Sequence, residues 1–170
     1  MKDILELFKS HCVVNSWCFD RYSSEFTLQF RLSTFWHHTF EGSQIELESN
    51  IQRYNLRNLV KKEIDIDILQ SDKTRIAIEI KYIRDKGSYN IGMFHFCEDI
   101  RFLEQLTDNN FHKCYAIIFT NVPEFYTRPS KILKPKNVEN LALYTCFRED
   151  FKLKGELHLS TGRINKSVRL

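Results

Sequence analysis

The most informative segment of this chain spans residues 63–82 and reads EIDIDILQSDKTRIAIEIKY. Apolar and polar residues alternate on both sides of a Ser-Asp-Lys turn signal, which predicts two strands of an antiparallel hairpin. The odd positions carry the ionic side chains Asp65, Asp67, Glu79 and Lys81. The even positions carry the apolar side chains Ile64, Ile66, Ile68, Ile76, Ile78, Ile80 and Tyr82. We therefore expect each strand to separate an apolar face from a charged face.

The register of this hairpin decides which acids meet. Side chains directly opposite each other on an antiparallel pair share a face, with Cβ atoms about 4.5–5.5 Å apart. In one register Asp65 lies opposite Glu79, whereas a shift of two residues sets Asp67 opposite Glu79 and Asp65 opposite Lys81. A shift of one residue would set charged residues against isoleucines, which burial of the apolar face disfavours. Both remaining registers bring carboxylates together.

Two neighbouring carboxylates and a lysine suit metal-dependent hydrolysis. Like charges held close together resist ionisation unless a positive group lies between them. Mg²⁺ binds one or two carboxylates, retained waters and substrate phosphate oxygens. Lys81 can hold or deprotonate a water beside that metal, or stabilise charge in the transition state. The pattern favours phosphodiester hydrolysis, and the alternative is an ordinary hairpin with a solvated charged face.

Composition indicates one globular domain over residues 1–170. The chain is 42% hydrophobic and 14% aromatic, which is sufficient for a full core. Its five cysteines are an odd number without Cys-x-x-Cys spacing, so we predict neither a disulfide framework nor a zinc site. No apolar run approaches the roughly 18 residues of a membrane span, and acids near Met1 are unlike a signal peptide. We expect a cytoplasmic protein with no membrane partner.

The last third of the chain is basic. The net charge is only +3, but residues 128–136 contain four basic side chains and no acid. These side chains are Arg128, Lys131, Lys134 and Lys136. A basic surface beside an acidic pocket suits a nuclease, because the first attracts phosphate and the second holds metal. We predict that these residues bind nucleic acid, and the alternative is a solvated basic surface.

Helical and alternating patterns predict the elements before the hairpin. Residues 2–14 have helical spacing, and residues 22–40 have both a helical stripe and a stretch that alternates like a strand. We predict a helix over residues 22–40 because Ser23 or Ser24 can cap it and Gly42 can end it. Residues 44–51 alternate as a strand, and residues 52–62 form a polar connector.

The segments after the hairpin predict a helix and further strands. Residues 91–107 have an apolar helical face, and residues 114–119 form a continuous apolar run typical of a strand buried on both faces. A strand, a helix and a strand in succession predict a parallel connection. Asp99 and Arg101 on this helix either contact substrate or form surface pairs. A strand over residues 141–147 and a hairpin over residues 156–168 would follow.

The element order and the acidic motif together resemble the PD-(D/E)XK, or restriction-endonuclease-like, nuclease superfamily. The resemblance covers residues 24–121 and rests on Asp65 or Asp67 followed by Glu79-Ile80-Lys81 in that order of elements. It implies an α/β fold with an αβββαβ core, in which helices flank a mixed central sheet, and residues 122–170 would be a basic extension. It also implies hydrolysis of DNA or RNA phosphodiesters with Mg²⁺, or with Mn²⁺ in its place.

The resemblance also assigns roles to individual residues. Asp65 and Glu79 would bind the metal together with the Ile80 backbone carbonyl, and Lys81 would position or activate water. Many members carry a further Glu on the first core helix near the metals, and Glu25 occupies that place here.

The motif leaves two aspartates open. The superfamily motif has a proline before the acid, whereas isoleucine precedes both Asp65 and Asp67; this departure is common in the group and removes a check on which aspartate is used. We favour Asp65 because members often carry the acid early in an Asp-Ile-aliphatic strand. Asp67 is the alternate acid, and whichever aspartate is not used would bind a second metal, support the first ligand or pair with lysine in solvent.

We therefore expect a small Mg²⁺-dependent endonuclease-like hydrolase, acting on DNA in preference to RNA. A homodimer would suit double-strand cutting. One alternative is a catalytically silent nucleic-acid-binding or assembly domain with the same fold. The other alternative is a protein-interaction domain whose hairpin charges are solvated.

Overall fold

The computed structural model describes residues 24–84 and 89–120, the strand residues 156–161 and 164–169, and residues 7, 10 and 11. Several predictions from the sequence lie outside this part of the chain. They are most of the helix over residues 2–14, the strand over residues 141–147 and the basic residues Arg128, Lys131, Lys134 and Lys136. None of the described helices combines the length and the apolar character needed to cross a membrane.

The described elements follow the predicted order. Helix α1 (Glu25–Thr39) and strand β1 (Gln44–Asn50) come first, followed by a 3-10 turn (Ile51–Tyr54). The hairpin strands are β2 (Glu63–Leu69) and β3 (Arg75–Ile83), and helix α2 (Tyr89–Thr107) and strand β4 (Lys113–Thr120) follow them. A separate two-stranded sheet contains β5 (Glu156–Thr161) and β6 (Ile164–Arg169), which confirms the predicted last hairpin.

The main sheet is mixed and has the strand order β1-β2-β3-β4. Strand β2 is antiparallel to both β1 and β3, and β4 is parallel to β3. The chain is thus α/β, and the parallel connection through α2 confirms the prediction made from strand, helix and strand in succession. In the described part of the chain, β4 is an outer strand and only Ile117 on it is buried. The prediction that this strand is buried on both faces is therefore wrong for these residues.

Helix α1 forms because its first turn is well capped. The Ser24 hydroxyl oxygen accepts a hydrogen bond from the Thr27 N–H at 3.2 Å, which satisfies one of the free donors at the helix start. Glu25 places a negative charge in the same turn, where it favours the helix dipole. The chain leaves the helix at Phe40 and turns at Gly42, whose φ is +74°. The helical interpretation of this segment is confirmed over the strand interpretation.

The core lies on both faces of the main sheet. On one face, Leu28, Leu32 and Trp36 of α1 pack against isoleucines of β2 and β3. On the other face, apolar side chains of α2, including Phe102 and Leu106, pack with Ala77. The sheet is thus covered by a helix on each side, so charged side chains that point from its central strands are held away from bulk water.

The predicted faces of the hairpin need one correction. Ile64 packs in the cluster that contains Phe102, whereas Ile66 packs with α1, so the prediction that they share a face is wrong. Regular pairing between β2 and β3 begins only at Ile66 opposite Ile78. The alternation of faces that holds for the paired part of the hairpin therefore does not extend to the residues before Ile66.

Candidate functional site

The candidate site lies where regular pairing of β2 with β3 stops, at residues 63–65 and 79–83, which we call the open end of the hairpin. Residues 66–69 pair with residues 75–78, and this register, continued, sets Asp65 opposite Glu79. The Ile80 N–H donates to Asp65 Oδ2 at 2.7 Å, and the Asp65 N–H donates to Glu79 Oε1 at 3.2 Å. Of the two registers that the sequence allowed, the structure has the one that joins Asp65 to Glu79.

Both acids at the open end are buried. Asp65 is 8% exposed and Glu79 is fully buried. Burial raises the pKa of Asp65 from 3.8 to about 6, although the Lys61 charge and the Ile80 N–H oppose the shift. Burial, and then the charge of Asp65, likewise raise the pKa of Glu79 well above its usual range. The alternative in which the hairpin charges are solvated is wrong for these residues.

Lys81 is a half-buried cation at the same end of the hairpin, paired with Glu25 and Asp99. Its Nζ is 3.5 Å from Glu25 Oε1 and 3.6 Å from Asp99 Oδ2. Burial lowers the pKa of Lys81, but the charges of Asp99 and Glu25 outweigh that effect and raise it above 10.5. The raised pKa favours the protonated form of Lys81, whose ammonium group can donate hydrogen bonds and stabilise negative charge.

Glu25 connects α1 to the open end. Its Oε2 accepts a hydrogen bond from the Tyr82 N–H at 2.9 Å, while its Oε1 faces Lys81. The helix cap at Ser24 fixes the first turn, and that turn carries Glu25 to the strand. The structure thus places Glu25 next to Lys81, where the sequence predicted an acid near the site.

Two further residues, Lys61 and Asp99, belong to the site; the sequence left the role of Asp99 open and did not single out Lys61. The Lys61 ammonium group donates to Glu79 Oε2 and, at 2.8 Å, to Asp99 Oδ1. Burial lowers the pKa of Lys61, but the charges of Glu79 and Asp99 dominate and raise it. Asp99 is 2% exposed, so of the two roles left open for it, a surface pair is wrong. Arg101, by contrast, does form a helix-surface pair, with Glu104 at 3.0 Å.

The sequence did contain signals that both residues belong to the site. Lys61 continues the odd-numbered alternation of Glu63 and Asp65, which places it on their side of the strand. Asp99 follows Phe96 by three residues and precedes Leu103 by four, so it interrupts the apolar stripe of α2. A carboxylate within such a stripe indicates a buried partner, because burial of an isolated charge is costly.

Asp67, the alternate acid, lies in a different environment. It is 4% exposed and is paired with Ala77 across the hairpin. Its Oδ2 accepts hydrogen bonds from the Tyr54 hydroxyl and, at 3.1 Å, from the Ser49 hydroxyl. Asp67 is thus held by neutral donors from β1 and the 3-10 turn, whereas Asp65 is held at the open end beside Glu79.

The donor chemistry of the open end suits a hard divalent cation. Its carboxylates are Glu25, Asp65, Glu79 and Asp99, and its ammonium groups are Lys61 and Lys81. Four carboxylates against two ammonium groups leave an excess of two negative charges when all are ionised. Carboxylate oxygens are the ligands that Mg²⁺ prefers. In the part of the chain that the structure describes, no three His, Cys, Asp or Glu side chains are already arranged to hold a metal ion.

No protein-family model matches the chain, and no curated protein or solved structure matches it either. The resemblance to the PD-(D/E)XK superfamily therefore depends on this chain alone. It rests on the order of its elements and on the positions of Asp65, Glu79 and Lys81.

Proposed function

We propose that this protein is a metal-dependent nuclease with a restriction-endonuclease-like core, which hydrolyses phosphodiester bonds and prefers DNA. The observation that supports this most is the convergence of Asp65, Glu79 and Lys81 at the open end of the hairpin. Asp65 and Glu79 contact each other's strand through backbone N–H groups. Asp99 links Lys81 to this pair of acids. One Asp99 oxygen is close to Lys81, and the other contacts Lys61, which also contacts Glu79.

Asp65 and Glu79 would hold a Mg²⁺ or Mn²⁺ ion, with the Ile80 carbonyl as a further oxygen ligand. A divalent ion bound there supplies Lewis-acid chemistry, which activates water and neutralises phosphate charge. The raised pKa of both acids supports this assignment, because burial and neighbouring carboxylates disfavour their ionised forms and a bound cation would favour them.

Lys81 would act on the attacking water or on the phosphate. Since Asp99 and Glu25 keep it protonated, its ammonium group can donate a hydrogen bond to that water and stabilise the negative charge of the transition state. Glu25 would position Lys81, because the Tyr82 N–H fixes one Glu25 oxygen and leaves the other facing Nζ.

A second candidate is a catalytically silent nucleic-acid-binding or assembly domain with the same fold. The ion pairs of Lys61 with Glu79 and Asp99 favour it, because they already neutralise part of the acidic cluster without a metal. A buried network of this kind is stable only while its partners remain together. The first candidate would cleave nucleic acid at the open end of the hairpin, and the second would not.

A cleavage assay distinguishes the candidates. Labelled DNA and RNA are incubated with the protein in Mg²⁺, Mn²⁺ or EDTA, and Lys81→Ala is compared with Lys113→Ala, an exposed lysine at the start of the neighbouring strand. We expect cleavage that requires metal, is faster on DNA, and falls by at least about a hundredfold in Lys81→Ala only. Cleavage that persists in EDTA refutes the mechanism. Nucleic-acid binding without cleavage supports the second candidate, and neither activity refutes both.

A further inference from the structure

Lys61 occupies the centre of the acidic cluster. Its ammonium group contacts one oxygen of Glu79 and one of Asp99, and its side chain is 27% exposed while those of the two acids are nearly inaccessible. It also lies 5.8 Å from the centre of the Phe102 ring, so an apolar wall borders it on the α2 side. The group is therefore a cation held between two buried carboxylates.

One carboxylate oxygen of Asp99 has no hydrogen bond in the described part of the chain. Its Oδ1 accepts a hydrogen bond from Lys61, but its buried Oδ2 accepts none in the described part of the chain and lies 3.6 Å from Lys81 Nζ. A buried carboxylate oxygen without a hydrogen bond is unfavourable unless a further partner arrives.

We propose that Lys61 is the internal counter-ion of the metal-free site and that a divalent cation displaces it on binding, which makes Asp99 a ligand beside Asp65 and Glu79. This inference rests on the metal dependence proposed above and adds the way in which the ion enters. It also gives Asp99 a role that the resemblance did not assign.

The displacement follows from geometry and charge. Mg²⁺ binds its oxygen ligands at about 2.0–2.1 Å, so an ion on Glu79 and Asp99 would take the position that the Lys61 ammonium now holds. Two cations that close together repel each other strongly in a poorly solvated site. Lys61 can leave, because it precedes β2 in a segment without regular structure and its side chain reaches solvent. Lys81 cannot leave as easily, because its backbone is held in β3 by pairing with Ile118 of β4.

Metal titration tests this directly. Mn²⁺ alone is titrated into the full chain by calorimetry and by electron paramagnetic resonance, using wild type, Lys61→Met and Lys62→Met. Lys62 is the matched control, because it is the adjacent lysine and is exposed. We expect Lys61→Met to tighten Mn²⁺ binding by at least about tenfold, because a competing charge is gone. We expect Lys62→Met to bind like wild type.

Asp99→Asn should weaken Mn²⁺ binding, which is the opposite of the effect expected for Lys61→Met. It removes the third carboxylate, so Mn²⁺ binding should weaken by about tenfold both in wild type and in the Lys61→Met background. Unchanged affinity in Lys61→Met, or in Asp99→Asn, would overturn the displacement.

A crystal structure of the wild type with Mn²⁺ makes the test independent of whether the variants fold. The displacement predicts the ion on Asp65, Glu79 and Asp99, with Lys61 Nζ beyond contact with both of its present partners. An ion bound while Lys61 stays between Glu79 and Asp99 refutes this inference and leaves the proposed nuclease intact. Absence of Mn²⁺ binding in wild type and in Lys61→Met refutes both.

Discussion

Asp65 and Asp67 lie two residues apart on β2 and are both buried, yet their surroundings differ in kind. Asp67 accepts hydrogen bonds from the Ser49 and Tyr54 hydroxyls, and burial and the contact with Asp67 raise the pKa of Tyr54, which keeps it a donor. Asp65 accepts one backbone hydrogen bond and faces other charged groups. Both hydrogen bonds of Asp67 reach its Oδ2 from neutral donors, and its Oδ1 accepts none in the described part of the chain, whereas Asp65 lies among charged groups.

The difference shows that burial alone does not identify a functional acid. Neutral donors stabilise a buried carboxylate through hydrogen bonds, so such contacts contribute to stability. A carboxylate placed beside other carboxylates and lysines depends on the balance of charge around it, so protons, lysines and metal ions compete for it. Four predictions test whether the two aspartates differ in this way.

The largest effect should come from removing the charge of Asp65, with the same substitution at Asp67 as the comparison. Asp65→Asn keeps the shape and an oxygen for the Ile80 N–H, but we expect it to lower the kcat/KM of DNA cleavage by about a thousandfold. Asp67→Asn keeps an oxygen for Ser49 and Tyr54, and its rate should stay close to that of wild type. Cleavage assays at saturating Mg²⁺ measure both. Equal losses in the two variants would place Asp67 in the site as well.

A smaller effect should appear in the pH dependence of stability. Burial raises the pKa of Asp65 from 3.8 to about 6, so between these values the folded metal-free protein holds a proton that the unfolded chain releases. The resulting stabilisation is fully present below the lower value and is lost as the pH rises through the upper one, by about 3 kcal/mol.

Urea denaturation in EDTA, carried out between about pH 4 and about pH 8, measures this loss in wild type and in Asp65→Asn. The unfolding free energy of wild type should fall relative to that of Asp65→Asn as the pH rises, because only wild type has the Asp65 proton to lose. A difference that is constant over this range would contradict the raised pKa of Asp65.

Tyr54→Phe should have a moderate effect on stability alone. The substitution removes the hydroxyl that donates to Asp67 and keeps the ring that packs edge-on against Phe111 at 5.4 Å between centroids. We expect a loss of about 1–2 kcal/mol in unfolding free energy with unchanged cleavage.

A double-mutant cycle shows to which aspartate the Tyr54 hydroxyl donates its hydrogen bond. The loss from Tyr54→Phe should be less than additive with Asp67→Asn and additive with Asp65→Asn. Coupling to Asp65 instead of Asp67 would show that the two environments are not separate.

The smallest effect should come from the exposed ion pair near Asp67. Glu46 and Arg53 are each about half exposed, at 50% and 48%, and solvent screens such pairs. Glu46→Gln should change the unfolding free energy by no more than about 0.5 kcal/mol. A larger loss in urea denaturation would mean that a cation, and not neutral donors alone, supports the environment of Asp67.

Much of the local structure could be predicted from the sequence, because it depends on near neighbours. Ser24 and Gly42 mark the ends of α1, and the alternation in β2 and β3 predicts an even register. The α/β element order follows from these local patterns. The β4 strand was harder, because its outer position in the described sheet depends on partners that a local apolar run does not specify.

The composition of the site could be predicted only in part. Alternation placed Asp65, Asp67, Glu79 and Lys81 together, but it could not show that β2 and β3 stop pairing before Asp65, since that depends on tertiary packing of Ile64. Lys61 and Asp99 reach the site from a connector and from a helix, and no periodicity relates those segments to β3. Their contacts become visible only once the elements are packed.

The hydrogen bonds of Asp65 and Glu79 to the opposite backbone have a consequence for comparing related chains. Each acid closes the end of the hairpin as well as belonging to the proposed metal site, so a related chain without the proposed activity would still need both to fold. The contacts described for Lys81 are with side chains, so the strand pairing does not depend on it. Position 81, more than the acidic pair, would then distinguish chains with the proposed activity from chains without it.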